Sequence, residues 1–129
     1  EAALVCIGTW AEFFGTTSGY SYTKPMGEIA GARWGHAGSD STHMEDFHNP
    51  DGTMRSADDI ATMWKSWNIL PSQQVAFYCG TGWRASETFM YARAMGWNNV
   101  SVYDGGWYEW SSNPKNPVSR GERGPESSK

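Results

Sequence analysis

The chain has 129 residues, 39% hydrophobic and 19% charged, with a net charge of -4. That length holds one domain with a real core, and the composition is that of a globular chain rather than a disordered or collagen-like one. The acidic balance argues against nucleic acid as a partner, because phosphate neutralisation needs a basic surface, and no run approaches the ~20 apolar residues of a membrane span.

Residues 2–7 form a short apolar run bounded by Gly8, which predicts a buried strand. The chain enters this run directly from Glu1, with no initiator Met, so a domain excised or cleaved from a multi-domain protein is expected. Trp10–Phe14 reads as a short helical turn ended by Gly15. Residues 16–53 are rich in Gly, Ser, Thr, Asp and aromatics, with little periodicity. A stretch that long without regular structure is more often functional than idle. Within it, residues 31–34 predict a short second strand.

Ser56 and Asp59 have capping-box spacing at the start of a helix. Ile60, Met63, Trp64 and Trp67 follow at i, i+3, i+4 and i+7, one apolar stripe that belongs to the core. Pro71 closes that region. Residues 74–78 read as a strand, residues 85–95 as a helix capped by Gly96, and residues 100–103 as another strand. Residues 107–110 predict a short helical piece, and the Ser-, Pro- and Gly-rich remainder a tail. Strands alternating with helices give an α/β fold with a central, mainly parallel sheet flanked by helices on both faces. The domain is expected over residues 1–117, with a tail over 118–129.

Chemistry concentrates at Cys79. It follows a predicted buried strand and precedes Gly80-Thr81-Gly82-Trp83-Arg84 and a helix. Sites of parallel α/β sheets lie at the carboxyl ends of strands. The helix N-terminus beyond the loop presents unpaired N–H groups and partial positive charge. Gly80 and Gly82 let the loop curl its amides inward as an anion nest, and Arg84 adds a fixed positive charge. This setting favours the anionic, nucleophilic form of the sulfur without a histidine base. A free cysteine is more commonly a small buried hydrophobe, but the strand–Cys–Gly-x-Gly-x-Arg–helix context points the other way. A cysteine phosphatase cradles a whole phosphoryl group in a loop one residue longer. The shorter ring here suits one extra sulfur atom on Cys79.

Other candidates are weaker. Arg33 could bind an anionic substrate or make an ordinary ion pair, and Trp83 could wall the pocket or pack beneath the loop. His36, His43 and His48 lie among Asp40, Glu45 and Asp46, but the ligand set is mixed and His43 and His48 are not an i, i+4 pair. No metal is therefore expected. A Cys–His pair of the thioesterase or cysteine-protease kind is an outsider. Of the eight tryptophans, Trp64 and Trp67 belong to the helix stripe, and Trp97, Trp107 and Trp110 pack at element ends. Trp10 and Trp34 stay open, and only Trp83 lies in the cysteine loop.

Tyr78-Cys79-Gly80-Thr81-Gly82-Trp83-Arg84-Ala85 resembles the active-site loop of the rhodanese (sulfurtransferase) family. Val102-Tyr103-Asp104-Gly105-Gly106-Trp107 is similar to the strand and turn that follow. Gly27-Glu28-Ile29-Ala30-Gly31-Ala32 resembles the family's early Gly-His-Ile-Pro-Gly-Ala signature, with Glu28 and Ala30 in place of His and Pro. The likeness runs from about Leu4 to Val118. It departs at Cys6-Ile7-Gly8, where the family's first strand commonly ends in Asp-x-Arg, and at Gly80, where thiosulfate-preferring members often carry a cation.

The resemblance implies a rhodanese-like fold and a thiosulfate sulfurtransferase. Cys79 would carry a persulfide. Arg84 would hold the donor, with Gly80, Thr81, Gly82, Trp83 and Arg33 lining the substrate site and no cofactor. The donor would be a small sulfur anion such as thiosulfate or 3-mercaptopyruvate. The acceptor would be cyanide, a thiol or a protein cysteine. It also implies further rhodanese domains in the same polypeptide and a bacterial, periplasmic setting, with the cytoplasm as the alternative. A noncatalytic or sulfur-relay module acting through protein partners is the competing class.

Overall fold

The computed structural model describes residues 2–19, 25–40, 43–80 and 83–119. Six strands and four helices appear among them: β1 (Ala2–Cys6), α1 (Trp10–Phe14), β2 (Glu28–Ile29), β3 (Arg33–Trp34), α2 (Ala57–Lys65), β4 (Gln74–Tyr78), α3 (Trp83–Ala94), β5 (Val100–Val102), α4 (Gly106–Ser111) and β6 (Val118–Ser119). A 3-10 turn occupies Glu45–Phe47.

The sheet has the order β3-β1-β4-β5, and every pairing in it is parallel. Its register sets Cys6 beside Tyr78 and Val5 beside Phe77. Successive side chains of a strand face opposite sides, so two cores form. On one face Val5, Ile7, Val75, Phe77 and Cys79 pack with Ile60 and Trp64 of α2 and Ala85 and Ala92 of α3. On the other, Cys6 and Tyr78 pack with Phe13 of α1, Ile29, Ala32 and Trp107 of α4. Helices therefore cover both faces, as the alternation of elements predicts.

The apolar stripe of α2 divides its labour. Ser56 Oγ accepts the Asp59 N–H at the N-cap. Ile60 and Trp64 are fully buried, and the Trp64 indole N–H donates to the Gly35 carbonyl at 3.0 Å. Trp67 lies two residues past the helix. It meets Trp10, Trp34 and Phe13, with ring centroids 5.7 to 6.2 Å away. Trp10 and Trp34, open on sequence grounds, are thus parts of one aromatic cluster. Gly96 takes φ +90°, the left-handed cap expected of it.

Two boundaries differ from expectation. α3 starts at Trp83 rather than at Ala85, so Trp83 and Arg84 belong to the helix. Val118 and Ser119 pair antiparallel with Ile29 and Glu28. Strand pairing among the described residues therefore extends past residue 117.

Candidate active site

Cys79 directly follows β4 and is 2% exposed. The backbone around it is held from one side by α4. The Trp107 N–H donates to the Cys79 carbonyl at 2.8 Å, and the Tyr108 N–H donates to the Gly80 carbonyl at 2.9 Å. These are first-turn amides of α4, which have no partner inside their own helix. Gly106 makes the approach possible. It has φ +56°, and a Cβ there would collide with the Cys79 carbonyl oxygen. The turn Asp104-Gly105-Gly106 is therefore a backbone support for the cysteine loop.

Arg84 is buried against an acidic side chain of α1. Its guanidinium is 1% exposed and pairs with Glu12, Nη1 to Oε1 at 2.8 Å and Nη2 to Oε2 at 3.0 Å. Glu12 belongs to a capping box: its backbone N–H donates to Thr9 Oγ1 at 3.1 Å, and its Oε1 accepts the Thr9 N–H at 2.8 Å. Glu12 is a site residue outside every motif that marks the cysteine loop. The Thr9-x-x-Glu12 spacing was its visible signal, since it is the same box pattern that marks α2.

Arg33 is buried as well. It is 6% exposed, and its Nη1 donates to the Asn68 carbonyl at 3.3 Å. Asn68 lies in the turn leading to β4, whereas Cys79 follows β4, so this contact draws Arg33 away from the loop. Trp83 opens α3 with its ring 58% exposed. It faces solvent instead of packing beneath the loop. Gly80 is buried, while Thr81 and Gly82 lie outside the described residues.

The second cysteine sits behind the site. Cys6 is 1% exposed, with Tyr78 in the same buried cluster. Burial first, and then the charges of Glu28 and Glu12, push its thiol well above the ordinary range. Burial and Glu28 push the Tyr78 phenol up in the same way. Glu28 itself is 5% exposed. The histidines are taken up by neighbours. His36 Nδ1 lies 3.3 Å from Asp46, His43 pairs with Asp40, and His48 Nε2 lies 3.0 Å from the Tyr91 hydroxyl and 3.3 Å from Glu87. Among the described residues, no three His, Cys, Asp or Glu side chains are grouped to hold a metal.

A rhodanese-like domain model matches residues 20–113. The chain belongs to the rhodanese-like domain family. This rhodanese domain is 84% identical over 129 residues to the thiosulfate sulfurtransferase YnjE of Escherichia coli (strain K12), covering 100% of this chain and 30% of that protein. The crystal structure of YnjE superposes with TM-score 0.98 at 85% identity, over 99% of this chain and 31% of that one. A structure of EanB with a cysteine persulfide, in a tetrahedral intermediate state with ergothioneine, superposes with TM-score 0.90 at 47% identity, over 94% of this chain and 29% of that one. Other EanB structures hold hercynine. The rhodanese domain thus spans roughly a third of the length of the curated relatives it matches.

Proposed function

We propose that this domain is a sulfurtransferase that moves a sulfane sulfur from thiosulfate, or a related donor such as 3-mercaptopyruvate, to a thiophilic acceptor through a persulfide on Cys79. The observation that carries the reading is the place of Cys79. It ends a central parallel strand, its backbone is gripped by α4, and α3 opens just beyond it. The likeness to named thiosulfate sulfurtransferases supports the same reading.

The chemistry is nucleophilic covalent catalysis. The Cys79 thiolate attacks the outer sulfur of thiosulfate. A new S–S bond forms, the bond to the sulfonate sulfur breaks, and sulfite leaves with the electron pair. The persulfide anion then sits at the N-terminus of α3, where amides and helix charge favour it. An acceptor nucleophile takes the terminal sulfur and returns the Cys79 thiolate. With cyanide the product is thiocyanate.

Incubation with thiosulfate should add the mass of one sulfur atom, located on Cys79 and removed by cyanide. Absence of the adduct, or sulfur transfer surviving Cys79→Ala, would sink the reading. A relay role is the competing class. If the isolated domain forms the persulfide but turns over only when another protein is added, relay is the better description.

The EanB likeness favours a second acceptor chemistry. EanB structures carry substitutions at a tyrosine and a threonine. Tyr20 and Thr81 stand at the same spacing from Cys79 as that tyrosine and threonine stand from the EanB persulfide cysteine. We therefore propose an imidazole carbon as an alternative sulfur acceptor. The terminal sulfur would replace hydrogen on that carbon, the proton would leave, and the Cys79 thiolate would be regenerated. Loaded domain mixed with hercynine should then yield ergothioneine. Persulfide that persists with hercynine yet discharges to cyanide would exclude that acceptor.

A further inference from the structure

We infer that Glu12 is a positioning residue for the sulfur-bearing loop, acting through Arg84, and that Arg84 does not hold the donor. The inference rests on the Cys79 reaction proposed above and concerns how that site is kept in shape.

The loop has two ends, and each is fixed differently. At the strand end, α4 amides hold the carbonyls of Cys79 and Gly80. At the helix end stands Arg84, with both terminal nitrogens donating to one carboxylate. A bidentate guanidinium–carboxylate pair fixes direction as well as distance. Glu12 is itself confined. Oε1 also takes the Thr9 N–H. A Cβ on Gly19 would collide with the carboxylate, and one on Gly8 would lie 3.3 Å from Oε1. The anion is therefore closed in by backbone on two sides and by the guanidinium on a third.

With the guanidinium 1% exposed and both terminal nitrogens turned to Glu12, a sulfonate could reach it only if the buried ion pair opened to the solvent side, a costly event. The positive charge at the loop's end instead fixes where α3 begins and where its first amides point. Preorganised donors act without rearranging during the reaction. Displacement of such a site by about 1 Å can cost about 10²-fold in rate.

The experiment compares steady-state sulfur transfer from thiosulfate to cyanide in the native domain, Glu12→Asp, and the double variant Glu12→Met/Arg84→Met, with thermal unfolding of each. Glu12→Asp keeps the charge but draws the carboxylate back by one methylene. Its kcat should fall by about 10- to 100-fold, with KM for thiosulfate unchanged. The double variant removes both buried charges, so its midpoint should lie near the native one while its kcat stays low. A folded double variant, or Glu12→Asp alone, with native kcat overturns the inference. So does a rise in KM at unchanged kcat, which would return Arg84 to the donor. If the double variant does not fold, the kcat and KM of Glu12→Asp decide. If the native domain forms no persulfide, the sulfurtransferase reading fails with it. A native domain that loads and turns over beside equally fast Glu12 variants removes this inference only.

Discussion

Gly106 lies directly against the carbonyl oxygen of Cys79, so closely that no β-carbon fits between them. The contact lets the next two amides of α4 reach the carbonyls of Cys79 and Gly80. Gly106→Ala adds a methyl group where the neighbour is backbone, at a left-handed φ of +56°. Strain and overpacking of this kind cost about 1–3 kcal/mol each. The variant should melt several degrees lower and load sulfur more slowly. Differential scanning calorimetry and timed mass spectrometry check both effects.

Trp64 and Trp83 should separate packing from chemistry. Trp64 is fully buried, with centroids 5.1 Å from Trp97 and 5.4 Å from Phe77. Trp64→Ala should cost about 3–5 kcal/mol, read by urea unfolding. Trp83 is 58% exposed, so Trp83→Ala should change stability by no more than about 0.5 kcal/mol. Any effect of that variant on transfer would then belong to acceptor or donor contact.

Cys6 should be inert. Its thiol is buried, is held above the ordinary range, and lies on the face of the sheet opposite Cys79. Thiosulfate should label Cys79 alone, and Cys6→Ala should leave both the stoichiometry and the rate of loading unchanged. Peptide mapping of the loaded protein decides this. A second sulfur on Cys6 would contradict the placement.

The contacts of Asp46 with His36 and Ala37 should weaken in acid. The hydrogen bond from His36 holds the Asp46 carboxyl below its ordinary range, with help from the Ala37 N–H and the Arg55 charge. The stability that Asp46 supplies is therefore complete above the ordinary aspartate range and is lost as pH falls through its lowered value. Asp46→Asn should be less stable than the native protein near neutrality, and the difference should shrink on acidification. Thermal melts across the acid range test that sign.

Much of this architecture was legible because local pattern and tertiary burial agree. The period of Ile60, Met63 and Trp64 marks α2, the apolar run before Cys79 marks β4, and Gly96 marks the end of α3. The direction in which a side chain turns was not legible. Arg84 occupies the motif position of an anion ligand, yet its partner lies 72 residues away in a five-residue helix. Linear spacing says which residues flank a loop, not which charge has already claimed them. The two-residue pairing of Ile29 with Val118 was hidden for a related reason. Strands that short leave no period to detect, and distant chain segments supply their stability.

The division of the two cysteines between the faces of the sheet limits how sulfur can leave. Cys6 ends β1 and Cys79 follows the neighbouring strand β4, but their side chains pack on opposite faces of the sheet. Thiols that point apart cannot join in a disulfide without backbone movement. The sheet acts as an insulator between them. Unloading by this pair is thereby excluded, and a loaded domain with no acceptor in solution should hold its sulfur. Discharge should be second order overall, rising with acceptor concentration rather than decaying at a rate set by the protein alone.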